Sequence, residues 1–208
     1  MTANWSVRRW SPMDGHPARA YELVSLPIAP QAFRAALAFL TTAVPVDSAF
    51  IVVRLAGGDN LAIRQVIEAA NESTLSPRLC VAVDRSTLAA IDFSALDNER
   101  VGLMLDGIDA ETPLTDIAHD SIEAIRFDEN FVECASQNVR QGCVLEAMFG
   151  LARNLGLCTL GPQVANADAL IASASDFDYV PDGPPDAQVK SDAAPQTRRA
   201  DARGIRAT

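Results

Sequence analysis

The segment Phe50-Ile51-Val52-Val53-Arg54 is a continuous run of apolar residues that ends in a charge. A run of this length without polar alternation is typical of a parallel strand that is covered on both faces. Similar runs recur along the chain. They alternate with residues 31–42, 60–71 and 139–155, where apolar side chains return every three or four positions, as on one face of a helix. This alternation predicts parallel strands joined by crossover helices.

Eight strand candidates of this kind precede residue 181. They cover residues 6–10, 20–26, 49–55, 79–84, 101–106, 121–128, 157–160 and 177–180. So many strands with helices between them, in a chain this short, predict an α/β fold that is a trimmed TIM-like (β/α)8 barrel. An open, doubly wound sheet is the alternative, because the same alternation of elements produces it.

The composition changes near the C-terminus. Residues 184–208 are rich in Pro, Asp, Ala and Arg and contain few side chains that a core could bury, which is typical of disorder. The sequence therefore predicts one domain over residues 1–183 and a disordered tail over residues 184–208. Lys190, the only lysine of the chain, falls in this tail, so chemistry that requires a lysine inside the core is excluded.

Charge and composition exclude several classes of protein. Hydrophobic residues make up 49% of the 208 residues, which is enough for a full core, and the formal net charge of −10 argues against a nucleic-acid binder. No apolar run approaches the length of about 18 residues that a membrane span needs, and the first residues lack the apolar segment of a secretory signal. The four cysteines, at wide spacings and without a CxxC pair, indicate reduced core thiols rather than a zinc site. We therefore expect a cytoplasmic protein that binds neither nucleic acid nor membrane.

Charged residues stand in or at the ends of several predicted strands. They are Glu22, Arg54, Asp84, Asp106, Arg126 and Asp128. In a barrel the C-terminal ends of the strands meet at one rim, so these side chains are expected to converge there. Carboxylates in such a place suit a hydrolase with two divalent cations, which bind hard anionic oxygens and activate a water.

The segments around these charges are similar, in their order and spacing, to those of a known family. Residues 101–109 (Val-Gly-Leu-Met-Leu-Asp-Gly-Ile-Asp) are similar to a strand ending in Asp-Asp-Phe-Gly, and residues 122–132 to a Lys-Ile-Asp-x-x-Phe-Val strand. Residues 151–165 are similar to a helix followed by Ala-Glu-Gly-Val-Glu, and residues 177–183 to Asp-Tyr-Val-Gln-Gly. Nearer the N-terminus, residues 10–12 match Gln-Pro-Ile and residues 22–24 match Glu-Ala-Leu. Over roughly residues 5–183 the chain resembles the EAL domain, the cyclic-di-GMP phosphodiesterase family.

The resemblance implies a barrel of the EAL type and carries the family's site onto this sequence. The metal-binding glutamate of the signature strand is kept as Glu22, the next acidic ligand as Asp84, and the first of two paired aspartates as Asp106. The acidic residue two positions after the lysine that orients the catalytic water is kept as Asp128.

Other positions of the implied site differ from the family. The metal-binding asparagine becomes Arg54, and the water-orienting lysine becomes Arg126. The remaining changes are Gly107 for the second aspartate, Pro162 and Ala165 for two glutamates, and Ser11 and Pro181 for two glutamines.

A guanidinium is permanently charged, so Arg54 would place a positive charge where the resemblance implies a cation. Repulsion between that charge and a dication about 4 Å away amounts to several kcal/mol at an effective dielectric constant of about 20. We therefore expect the arginines to pair with the leftover carboxylates in place of metals. The sequence predicts no catalytic residue, no metal and no cofactor, and a vestigial pocket formed by Glu22, Arg54, Asp84, Asp106, Arg126 and Asp128.

These departures predict a catalytically inactive EAL-like domain that acts as a regulatory or protein-interaction module in bacterial signalling. A metal-free receptor for cyclic-di-GMP is the alternative, disfavoured because the ligand-contact segments have changed and an acidic rim repels a dianion. A residual phosphodiesterase is the least favoured hypothesis. The sequence does not identify the protein partner, and it leaves homodimerisation open.

Overall fold

The computed structural model describes residues 4–13, 19–25, 30–45, 47–54, 60–74, 78–91, 101–162, 176–182 and 189–190. The strands are β1 (Asn4–Pro12), β2 (Ala20–Ser25), β3 (Phe50–Arg54), β4 (Arg78–Val83), β5 (Val101–Ile108), β6 (Ile122–Phe127), β7 (Cys158–Leu160), β8 (Tyr179–Pro181) and β9 (Val189–Lys190). The helices are α1 (Pro30–Ala43), α2 (Asn60–Glu72), α3 (Arg85–Leu88), α4 (Leu114–Ile117), α5 (Glu129–Gln137) and α6 (Val139–Leu155). All eight predicted strands are present, with ends that differ by a few residues.

Strands β1 to β8 close into a barrel. From β2 to β8 each strand pairs in parallel with the next, and β1 pairs with both β8 and β2 and so joins the two ends of the sheet. The prediction of a (β/α)8-type barrel is confirmed, and the open doubly wound alternative is wrong. The connection between β5 and β6, which is fully described, contains only the single turn of α4.

β1 is antiparallel to its neighbours, whereas the sequence predicted parallel strands. Only residues 13–19 separate β1 from β2. A parallel crossover needs about a dozen residues or more, so this short connection can only reverse the chain direction. The reversal places Arg8 of β1 opposite Glu22 of β2.

Alternation along the strands divides the core into two layers. Side chains such as Ile51 and Val53 of β3 face the helices, and Val52, between them, faces the lumen of the barrel. The lumen is filled by residues that include Trp10, Val52, Met104 and Leu160, all without exposed surface. The lumen of the barrel is therefore filled with packed side chains and is not a channel.

Two residues of the predicted tail belong to the described part of the chain. Val189 and Lys190 form β9 and pair with Trp5 and Asn4 of β1, so Lys190 joins the sheet through its backbone. The other residues of the segment 184–208 lie outside the described residues, and their disorder stays a prediction.

The prediction of four core thiols is wrong for two cysteines. Cys80 is buried and Cys158 half-buried, whereas Cys134 and Cys143 are exposed on α5 and α6; all four are free. The packed face of α5 carries Phe131, Val132 and Ala135 instead. No helix among the described residues is both long enough and apolar enough to cross a membrane.

α6 illustrates how local sequence sets the length of a helix. The Asn138 side chain accepts hydrogen bonds from the first backbone N–H groups, and Gly156 ends the helix in the left-handed conformation with φ of 72°. Residues other than glycine adopt this conformation at a cost, so Gly156 fixes where the helix stops and the chain turns into β7.

Two glycine substitutions in this helix should change stability in opposite directions. Gly150→Ala should raise the free energy of unfolding by about 0.5–1 kcal/mol, because alanine has the higher helix propensity, and nothing lies within 4 Å of the added methyl group. Gly156→Ala should lower it by about 1–2 kcal/mol, because of the left-handed φ. Urea unfolding measures both. A loss of stability at Gly150 as large as that at Gly156 would contradict this account.

Candidate functional site

Five charged side chains from five strands meet inside the barrel at its C-terminal end. They are Arg8 (β1), Glu22 (β2), Arg54 (β3), Asp106 (β5) and Arg126 (β6), and we call them the guanidinium–carboxylate network. Four of the six residues that the sequence predicted for the pocket belong to this network. It adds Arg8, which the sequence analysis did not include.

Glu22 is the centre of the network and has no exposed surface. Its Oε2 accepts a hydrogen bond of 3.1 Å from Nη1 of Arg8, the residue opposite on β1. Its Oε1 accepts one of 3.0 Å from Nη1 of Arg126. Since β6 lies across the barrel from β2, Arg126 spans the lumen to make this contact. Nε of Arg54 lies 4.0 Å from the same Oε1.

Asp106 is the second carboxylate, and two guanidiniums bind it. Nε of Arg126 donates to Oδ1 at 2.7 Å and Nη2 of Arg126 donates to Oδ2, which forms a two-pronged pair. Nη2 of Arg54 also donates to Oδ2. The strand between β3 and β5 has the small residue Ala82 beside Arg54, facing the lumen, which leaves room for this contact across β4.

The backbone at Asp106 is irregular. The pairing of β5 with β6 shifts its register between Asp106 and Ile108, and Gly107 has a φ of 76°. A bulge of this kind bends a strand and redirects the side chain beside it. The position at which the resemblance implies a second aspartate thus holds a residue that adopts positive φ without strain.

Burial and mutual charge shift the ionisation of the network. Burial alone would raise the pKa of Asp106, but the charges and hydrogen bonds of Arg126 and Arg54 outweigh it and hold that pKa below its ordinary value. Burial likewise opposes the charge of Arg126, and the carboxylates Asp106 and Glu22 nevertheless raise its pKa. For Arg8, burial is the largest effect and lowers the pKa, against the attraction of Glu22. Because a guanidinium is not deprotonated in proteins, Arg8 and Arg126 keep their charge despite burial.

Arg8 could have been found from the sequence by strand alternation. Arg8 and Trp10 point into the lumen, and Arg9 between them points outward, where its side chain is 45% exposed and pairs with Asp182. Two consecutive arginines in a strand cannot both face solvent, so one of them had to enter the barrel. The side chain of Arg8 is 7% exposed, and among the described residues its Nε finds no hydrogen-bond partner.

Asp84 and Asp128 lie beside the network but are bound to helix ends. Asp84 accepts hydrogen bonds from the Thr87 N–H at 2.7 Å and the Ser86 hydroxyl at 2.8 Å at the start of α3, which lowers its pKa. Asp128 accepts from the Phe131 N–H at 3.1 Å at the start of α5. Both residues line a pocket of about 360 Å³ above the network. Its other walls are Arg54, Asp106, Gly107, Arg126, Phe127, Glu129 and Pro162.

The donor set does not fit the two divalent cations that the resemblance implies. Each of the four carboxylate oxygens of Glu22 and Asp106 accepts a hydrogen bond from a guanidinium. Three guanidiniums face two carboxylates, which leaves one positive charge in excess. Within the part of the chain that the structure describes, no group of three or more His, Cys, Asp or Glu residues is placed to hold a metal.

Removal of a buried guanidinium should destabilise the fold strongly. Arg126→Met leaves Oε1 of the buried Glu22 and Oδ1 of Asp106 without the guanidinium that donates to them, so we expect the free energy of unfolding to fall by about 3–5 kcal/mol. Arg34→Ala is the matched control, because Arg34 pairs with Glu72 on the surface, where both side chains are at least 60% exposed. That change should cost less than about 1 kcal/mol. Urea unfolding of the two variants tests the difference, and equal losses would contradict it.

Asp106 should make stability depend on pH on the acid side. A carboxylate whose pKa is lowered by folding stabilises the fold fully above its ordinary pKa of 3.8, and this stabilisation is lost as pH falls through the lowered value. The stability difference between the protein and Asp106→Asn should therefore be constant near neutral pH and shrink below about pH 4. Urea unfolding at a series of pH values measures it. A difference that stays constant down to pH 2 would show that Asp106 is not held as an anion.

Comparisons with known proteins agree with this architecture. No protein-family model and no curated protein matches the sequence. Among solved structures, the FimX EAL domain from Pseudomonas aeruginosa bound to c-di-GMP is similar with a TM-score of 0.67 at 13% identity, over 86% of this chain and 87% of that one. The EAL domain of Mycobacterium smegmatis DcpA gives a TM-score of 0.63 at 15% identity, over 89% and 91% of the two chains.

A third structure is the manganese/cy-diGMP complex of Klebsiella pneumoniae BlrP1, with a TM-score of 0.65 at 12% identity over 88% of this chain and 56% of that one. The similarity of the folds establishes the architecture. At sequence identities this low it leaves the activity open. The predicted fold class is confirmed: the chain has the TIM-like barrel fold of the EAL domains.

Proposed function

We propose that this domain does not hydrolyse cyclic-di-GMP and acts as a regulatory or protein-interaction module in bacterial signalling. The observation that carries the proposal is the occupation of all four oxygens of Glu22 and Asp106 by guanidinium donors. Metal-assisted hydrolysis needs free carboxylate oxygens to hold the cation that generates a hydroxide near neutral pH. Here those oxygens already accept hydrogen bonds from guanidinium groups, which carry a permanent positive charge.

The carboxylates that could activate a water without a metal already have other hydrogen-bond partners. Asp84 and Asp128 cap helices, which ties one oxygen of each carboxylate to backbone N–H groups and lowers the tendency of Asp84 to take up a proton. A general base works best with a pKa near the operating pH. The lowered pKa of Asp106 and of Asp84 makes both poor bases. Neither Asp84 nor Asp106 is therefore suited to activate a water.

A metal-free receptor for cyclic-di-GMP is the second candidate. It is favoured by the solved structures of similar fold that contain the dinucleotide, and by the half-exposed guanidinium of Arg54 at the pocket. It is disfavoured by the pocket lining, where Asp84, Asp106, Asp128 and Glu129 outnumber the two arginines. A dianionic ligand would meet repulsion there, so we favour the interaction module with an unidentified protein partner.

A phosphodiesterase assay tests the proposal directly. With Mg²⁺ or Mn²⁺ present, cyclic-di-GMP should yield no linear dinucleotide, because the carboxylates cannot release their guanidinium partners. Turnover that is lost in a folded Glu22→Gln variant would overturn the proposal. Titration calorimetry with the same ligand should show no saturable heat. Binding at one ligand per chain that Arg54→Ala abolishes would establish the receptor alternative in its place.

A further inference from the structure

Two buried donors of β1 have no acceptor, and both belong to side chains that point into the lumen. Nε of Arg8 and Nε1 of Trp10 find no hydrogen-bond partner among the described residues. The side chain of Arg8 is 7% exposed, and Trp10 has no exposed surface. We propose that the lumen binds one small monovalent anion, such as chloride, between the guanidinium of Arg8 and the indole of Trp10. This site lies apart from the pocket and does not depend on the proposed function.

The two side chains are neighbours on one face of β1. Residues that are two positions apart in a strand share a face, and they lie about 7 Å apart along it. Arg8 stands opposite Glu22, whereas Trp10 stands opposite Ala20, the first residue of β2. Trp10 is therefore nearer to the N-terminal end of the barrel than the guanidinium–carboxylate network. One acceptor between the two side chains can bind both N–H groups.

The burial of Arg8 is compensated less than that of Arg126. A guanidinium has five N–H donors, and the one hydrogen bond of Arg8 within the described residues goes from Nη1 to Glu22 at 3.1 Å. Arg126, which is just as buried, donates to both Glu22 and Asp106. Accordingly, burial lowers the pKa of Arg8, whereas the carboxylates raise the pKa of Arg126. Because a buried donor without a partner is costly, a further acceptor at Arg8 would stabilise the fold.

The supply of donors and acceptors favours an anion over a water molecule. A water needs acceptors for its own two hydrogens, whereas an anion only accepts. The oxygens of Glu22 and Asp106 already accept hydrogen bonds from guanidiniums. The lumen residues that pack with Trp10 are mostly apolar and include Ala20, Val52, Met104 and Leu160. Two N–H donors in such surroundings suit a small spherical ion better than an oxyanion, whose several oxygens would all need donors.

The charge of the network has the sign that attracts an anion. Three guanidiniums face two carboxylates, and one monovalent anion balances the positive excess. The acidic residues Asp84, Asp128 and Glu129 line the pocket, at the other end of the network from Trp10. They are exposed or half-exposed, and water weakens their effect on a buried ion.

Bromide quenching of Trp10 fluorescence tests the site. Trp5→Phe leaves Trp10 as the only tryptophan of the chain. At constant ionic strength maintained with sodium gluconate, NaBr should quench this variant along a saturating curve, because a bound heavy ion lies beside the indole. Chloride should reverse the quenching by competition. Trp10 has no exposed surface, so collisions with bromide in solvent should add little. No quenching, or quenching that rises linearly and does not respond to chloride, would overturn the proposal.

Thermal unfolding of the full chain is a second measurement. In about 0.2 M NaCl the unaltered protein should melt about 3 °C or more above its melting temperature in sodium gluconate of equal ionic strength, because the anion binds only the folded chain. Trp10→Phe keeps an aromatic ring but removes the N–H, so it should lose most of this difference. Arg8→Met should lose it as well, and Trp10→Phe decides the question if Arg8→Met does not fold.

Arg9→Met is the matched control. Arg9 follows Arg8 in β1, but its side chain is 45% exposed and pairs with Asp182 at 3.5 Å, so this variant should keep the full difference between the two salts. Equal melting temperatures of the unaltered protein in chloride and gluconate would show that no anion binds, and the proposal would be wrong. An equal loss of the difference in Arg9→Met and Trp10→Phe would contradict it too. Neither measurement involves cyclic-di-GMP, so their failure would leave the proposed function unchanged.

Discussion

Glu22 has no exposed surface, and a buried carboxylate keeps its charge only if cationic donors surround it. This requirement determines which side chains lie at the C-terminal end of the barrel. Arg8 meets it from the neighbouring strand and Arg126 from the opposite wall, so the pair also ties β1 and β6 to β2. Asp106 then balances Arg126, and Arg54 completes the set. One buried charge thus accounts for the arrangement of four others.

The apolar pattern predicted the fold because it reports which residues the barrel buries. Every predicted strand is present, and the helix at residues 139–155 has the bounds that its pattern and Gly156 indicated. The direction of β1 was predicted wrongly, since an apolar pattern carries no information on whether a neighbouring strand is parallel. That direction follows from the length of the connection before β2, which is visible in the sequence once both strands are known.

The site was predictable where strand ends carry charge and less so elsewhere. Glu22, Arg54, Asp106 and Arg126 meet because the strands that carry them share one rim. Arg8 required the knowledge that Arg8 and Trp10 of β1 point inward and Arg9 between them points outward. Asp84 and Asp128 stand at the same rim, but each gives one carboxylate oxygen to the helix that begins after it, which depends on backbone geometry.

The reversal of β1 also determines where the two ends of the described chain lie. Asn4 pairs with Lys190, and Trp5 lies opposite Ser25 at the C-terminal end of β2. Both ends of the described chain therefore lie at the rim that surrounds the network. Any module covalently joined beyond either residue would be tethered next to the pocket, at a high effective concentration over its entrance. An intramolecular partner would therefore need little intrinsic affinity to cover the barrel mouth.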